Sequence, residues 1–245
     1  MKMRSTLCAL LLCATGVTAQ KTPTGTEVLR RMHDAYAGKW YKTLTFRQTT
    51  TQYPQTGEPR IATWVESLRQ DDARGTLLRI DLGDPALGNV ALYSADSTWV
   101  VRGGKLVRTA GHGNEFLPLI EGVYMQPVDK TAAQLRAMAF NIDRVADGNW
   151  EGRPVWIVGA TSPTDSTSSQ FSVDKERNIV LHAKLAQNPN TPPLDIRLDN
   201  YVQLAGGWLA TKISMTIGGR PVQMEEYADW QANIDVPAKL FDASQ

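Results

Sequence analysis

The chain has 245 residues, 42% of them hydrophobic and 21% charged, with 26 basic and 25 acidic side chains. That balance leaves no electrostatic footprint for nucleic acid, and no basic run is longer than Arg30-Arg31. Both cysteines, Cys8 and Cys13, fall in the first fifteen residues, so the remainder is expected to fold without disulfides and has no thiol for catalysis or for a metal.

The N-terminus reads as an export signal. Lys2 and Arg4 precede a short apolar run, Leu7 to Thr15, and Val17-Thr18-Ala19 offers the small residues of a cleavage site. Residues 1–19 are therefore predicted to be removed after Ala19, leaving residues 20–245 as one exported domain. The apolar run is shorter than the roughly 20 residues of a membrane span, so no stable insertion is expected. Neither cysteine follows a small residue, which argues against lipidation. Losing Lys2 and Arg4 turns the charge balance slightly acidic.

Thr26 to Trp40 has helical spacing, with Val28, Leu29, Met32, Ala35 and Tyr36 on one face. Thr24 or Thr26 would cap it, and Gly38 marks its end. From Lys42 the period changes to that of strands. Leu44–Tyr53 and Arg60–Gln70 are long, and Gly75 to Thr109 divides into four short pieces. Within the first of these, Leu78 and Ile80 fall on one face and Arg79 and Asp81 on the other. Arg102-Gly103-Gly104-Lys105 is a tight hairpin signal, because glycine reaches positive φ without steric cost.

Two helices interrupt the strands. The segment Glu115–Val123 carries Phe116 and Leu117, and Asp129–Phe140, with Asp129 as its expected cap, carries Leu135 and Met138. Strands resume near Ile142, with turns placed at Gly148–Arg153, Lys175–Asn178 and Gly206-Gly207, and a closing helical turn at Pro237–Phe241. The expected fold is mainly β: one curved antiparallel sheet of about ten or eleven strands, an incomplete, half-open barrel with about three helices covering its mouth.

Chemistry is hard to find. His33, His112 and His182 lie far apart, and His182, alternating with Leu181 and Ala183, is expected at the surface. No nucleophile elbow, metal-ligand spacing or phosphate loop appears, so no cofactor, metal or catalytic residue is assigned. Glu225 and Glu226 are neighbours on a strand and point to opposite faces. What stands out is apolar, including seven tryptophans.

Leu78-Arg79-Ile80-Asp81 followed by Tyr93-Ser94-Ala95-Asp96-Ser97-Thr98-Trp99, then Trp156-Ile157-Val158-Gly159-Ala160 and Gln170-Phe171-Ser172-Val173-Asp174-Lys175-Glu176, resemble the LolA/LolB-like lipoprotein-carrier family in the order of elements from Thr26 to Phe241. The chain is longer than those carriers, differs at the turn Gln70–Arg74, and offers no single match for the arginine that secures their lid. The resemblance implies a monomeric periplasmic protein that holds the acyl chains of a lipoprotein, or another amphiphile, without covalent chemistry. The expected cavity lining is Trp64, Leu78, Ile80, Leu92 and Trp99 from strands, with Phe116, Leu117, Leu135 and Met138 from helices. An envelope sensor that contacts a partner protein through the same fold is the alternative, and a hydrolase centred on His112 ranks last.

Overall fold

The computed structural model describes residues 21–243 except 95, 115, 187 and 189. The expected signal segment and both cysteines lie outside the described residues. Helix α1 (Gly25–Tyr36) opens with a capping box: the Thr24 hydroxyl accepts from the Glu27 amide at 3.2 Å, and the Glu27 carboxylate accepts from the Thr24 amide at 2.7 Å. Val28, Leu29 and Met32 on its apolar face are fully buried. Gly25 sits so close to the chain before the seventh strand that a Cβ there would stand 2.1 Å from the Ile142 carbonyl oxygen.

Six strands follow: β1 (Thr43–Gln52), β2 (Arg60–Asp71), β3 (Gly75–Leu82), β4 (Val90–Tyr93), β5 (Thr98–Arg102) and β6 (Lys105–Ala110). A helical connector then runs through a π-helical turn (Pro118–Gly122), α2 (Val123–Met125) and α3 (Val128–Ala137). The second half supplies β7 (Val145–Trp150), β8 (Arg153–Val158), β9 (Gln170–Asp174), β10 (Val180–Leu185), β11 (Leu194–Leu204), β12 (Gly207–Ile217) and β13 (Arg220–Ala232). All thirteen join one antiparallel sheet in the order β6-β5-β4-β3-β2-β1-β13-β12-β11-β10-β9-β8-β7. Each half is a meander, and the halves meet where β1 pairs with β13. The sheet does not close: β6 and β7 are its two edges, and the connector links them.

The strand count is thus thirteen instead of ten or eleven, with β7, half of it expected as a turn, paired along its whole length. The expected turn at Gly148–Arg153 is also corrected. Gly148, Asn149 and Trp150 pair within the β7–β8 ladder, and the turn is Glu151-Gly152, both at positive φ. Gly148 serves packing instead, since a Cβ there would lie 2.5 Å from Ile157 Cδ1. At α3 the cap position is Pro127, not Asp129, and no side chain caps it.

The inner face of the sheet, carrying Leu44, Phe46, Leu68, Leu78 and Ile80, shares one hydrophobic cluster with α1 and the connector. The outer face of β3 is covered separately. Leu77 packs on Val236 and Phe241 of the C-terminal turn, and Arg79 donates to the Leu240 carbonyl at 3.0 Å.

Candidate functional site, a cavity under the helical connector

Between the inner face and the connector lies a cavity of about 120 Å³. Its walls come from both halves of the chain: Phe46, Leu68 and Ile80 on one side, Leu198, Ile213 and Met215 on the other, with Phe116, Leu117 and Ile120 above. It is not sealed, since Asn114, Phe116, Ile120 and Met215 are only half-buried.

An aromatic post holds the connector over it. Trp40 stacks on Tyr124 with ring centroids 3.8 Å apart, and Tyr36 meets both rings edge-on. The turn into β12 locks the indole from the other side, because a Cβ on Gly207 would come within 2.8 Å of the ring. Glu121, on the π-helical turn, accepts from Trp40 Nε1 at 2.9 Å and from the Tyr41 hydroxyl at 2.7 Å. Burial pushes its carboxyl up to about 7 despite these two donors.

Two further acids line the cavity from the sheet. Glu225 on β13 accepts from Gln223 Nε2 at 2.6 Å and from the Tyr227 hydroxyl at 2.8 Å, and burial raises its carboxyl. Glu226, its neighbour, is exposed on the opposite face, as the strand period requires. Glu66 on β2 is 5% exposed and its side chain makes no hydrogen bond or ion pair among the described residues. Gln48 on β1, 1% exposed, donates to Thr50 Oγ1 at 2.8 Å, while its own Oε1 has no partner. Burial first, and then repulsion from Glu225, hold the Glu66 carboxyl well above the ordinary range. Among the described residues, no lysine, arginine or histidine lines the cavity.

The expected lining residues divide. Leu78, Ile80, Phe116 and Leu117 line the cavity. Trp64 packs against the core opposite Gln48, and Leu135, a residue of α3, is fully buried. Leu92 and Trp99 lie on the other side of the sheet: Leu92 opposes Arg79 and Trp99 opposes Leu92, so all three share the outer face. With Met138 they border a wider groove of about 830 Å³, which polar residues such as Arg74, Asp96, His112 and Lys130 also line. Sequence reasoning misses the lining supplied by β11, β12 and β13, and it misses the three carboxyls. The signal that could have found Glu66 and Gln48 is a polar residue on the apolar phase of a strand.

Elsewhere, His182 is buried, not at the surface. It stacks on Trp150 at 4.0 Å, and its Nε2 lies 3.1 Å from Asp195 Oδ1. His112 is exposed, and its carbonyl accepts from Thr98 Oγ1 at 2.7 Å. Among the described residues, no group of three or more His, Cys, Asp or Glu side chains is placed to hold a metal ion, and no helix is long and apolar enough to cross a membrane.

The sequence itself matches no family model and no curated protein. Solved structures do match along most of the chain. A putative outer membrane lipoprotein-sorting protein domain from Vibrio parahaemolyticus superposes with a TM-score of 0.60 at 15% identity, covering 89% of this chain and 96% of that one. The chain shares the fold of that domain. A LolA superfamily protein from Nitrosomonas europaea matches with a TM-score of 0.55 at 12% identity, over 90% of this chain and 98% of that one. A DUF1329 family protein from Desulfovibrio piger matches with a TM-score of 0.62 at 13% identity, over 89% and 95%. In this LolA-like fold the cavity just described occupies the space between sheet and helices.

Proposed function

We propose that this chain is an exported periplasmic carrier that holds an acyl chain, of a lipoprotein or another amphiphile, in a half-barrel whose mouth the helices cover. It performs no covalent chemistry. The observation that carries the reading is the cavity itself: apolar walls drawn from both halves of one open sheet and roofed by a connector. Binding would draw on buried methylenes at roughly 0.8 kcal/mol each, so ten of them contribute about 8 kcal/mol before ordering costs.

The cavity is too small for such a chain as it stands. At about 120 Å³ it falls below the ~150 Å³ of an apolar cavity that takes one benzene ring. Cargo therefore has to lift the connector, and the sheet, tied by continuous ladders, serves as the fixed wall.

Nile red, a neutral dye, reports occupancy directly, and native mass spectrometry of protein purified from an envelope extract reports natural cargo. Ala210 is buried at the cavity wall, and Ala210→Phe fills the space. The variant is expected to bind the dye at least tenfold more weakly while melting cooperatively. A wild-type protein that carries no lipid and binds neither dye nor lipid would end the carrier reading.

A further inference from the structure

The polar groups of the cavity are unevenly served. Glu225 has two donors and Glu121 has two, whereas Glu66 has none among the described residues and Gln48 keeps its amide oxygen unpaired. Strand register brings these unmet acceptors together. Glu66 stands opposite Phe46 on β1, and Gln48 follows two residues later on the same face. Tyr227 and Glu225 stand opposite Gln48 and Thr50 on the next strand. Strands lie about 4.8 Å apart, so Glu66, Gln48 and Glu225 occupy a patch on the order of 10 Å across on the inner wall. Both Glu66 and Gln48 are more than nine-tenths buried and border the cavity.

A buried acceptor without a donor is costly, and native proteins seldom leave one. Here the unpaired Gln48 oxygen sits near a Glu66 carboxyl that has no donor, in the wall of an apolar space with two more carboxyls and, among the described residues, no cation. An anionic head would find no cation among the described residues of the wall, whereas a donor would satisfy the acceptors left unpaired there. We propose that Glu66 and Gln48 receive the head of an amphiphile that donates hydrogen bonds through nitrogen, as an ammonium or an amide N–H, and that the apolar remainder of the cavity receives its chain. This rests on the carrier reading and adds the chemistry of the cargo's head. The raised Glu66 carboxyl agrees with it, because a bound ammonium supplies the counter-charge that would return Glu66 to its ionised form.

The test is displacement of Nile red at neutral pH by decylammonium, decanamide and decanoate, which share a chain and differ in the head. Against the wild-type protein, decylammonium and decanamide are expected to compete at least tenfold more strongly than decanoate, about 1.4 kcal/mol. Decylammonium ahead of decanamide assigns a charged head, and parity assigns an amide. In a Glu66→Leu/Gln48→Leu protein the preference over decanoate should shrink to within about twofold while the dye still binds. Leucine at Glu66 removes a desolvation cost, and leucine at Gln48 gives up one hydrogen bond to Thr50 together with an unpaired oxygen, so this variant is expected to fold. Equal competition by decanoate in the wild type, or an unchanged preference in the double variant, overturns the assignment and leaves the carrier reading intact. Absence of any dye or amphiphile binding to the wild type overturns both.

Discussion

Glu121 should make this protein less stable as the pH rises through neutrality, the reverse of the usual carboxylate. Its carboxyl moves from an ordinary 4.5 to about 7 on folding, chiefly through burial under the connector. The folded state therefore holds a proton that the unfolded chain has released, and stability falls as pH climbs through that window. A tenfold difference in proton affinity between the two states is worth about 1.4 kcal/mol, so between about pH 5 and pH 8 this one group accounts for roughly 2.5 kcal/mol. Glu66 and Glu225 are raised as well and add with the same sign. Glu121→Gln removes the titrating group while leaving an amide of similar shape between Trp40 and Tyr41. Urea denaturation of both proteins across that range isolates its contribution, because Glu66 and Glu225 titrate in each. The wild-type curve should descend more steeply, by about 2.5 kcal/mol over the range. Parallel curves would refute the reasoning and place the pH dependence elsewhere.

Two further outcomes test the frame around the cavity. Gly25→Val sets a side chain against the Ile142 carbonyl and Val158, and should cost about 1–3 kcal/mol in urea denaturation as α1 is pushed off; a change within a few tenths would show that the helix adjusts freely. Asp174, 1% exposed, bonds Arg153 at 3.1 Å, Arg177 at 2.9 Å and the turn amides of Glu176 and Arg177. Asp174→Ala should therefore cost about 2–3 kcal/mol and, unlike Ala210→Phe, leave dye affinity in the folded protein unchanged; a matching loss of affinity would mean that the β9–β10 turn shapes the cavity.

Long strands with one buried face are readable from the residues. Leu194–Leu204 and the inward phase of Leu78 and Ile80 follow from period two and from glycine-marked turns. Leu92 and Trp99 lie on the side opposite to expectation because β4 is only Val90–Tyr93 and its first three residues are all buried. A strand covered on both faces has no alternation to read, and only the ladder that sets Ile80 opposite Ala91 decides which way Leu92 points. Glu66 is obscure for a related reason. Trp64, Glu66 and Leu68 alternate with Val65, Ser67 and Arg69, so each phase mixes polar and apolar residues. His182 looks solvated by alternation alone, yet Trp150 arrives from the distant β7 and covers it. Contacts made by residues remote in sequence are what a local pattern omits.

The chain's first and last strands meet in the middle of the sheet, and this governs how the molecule can assemble. Each meander can zip up from local hairpins, but the β1–β13 ladder unites segments separated by nearly the whole described chain. Closing it carries the loop entropy of that span, so docking of two preformed halves is expected to limit the folding rate. A protein shortened before β13 would lack the seam and consist of two separate meanders, each with a new raw edge. A break in the connector, by contrast, would leave every ladder intact. Limited proteolysis in the 111–144 span should therefore yield two fragments that stay associated, with the roof severed and the wall whole.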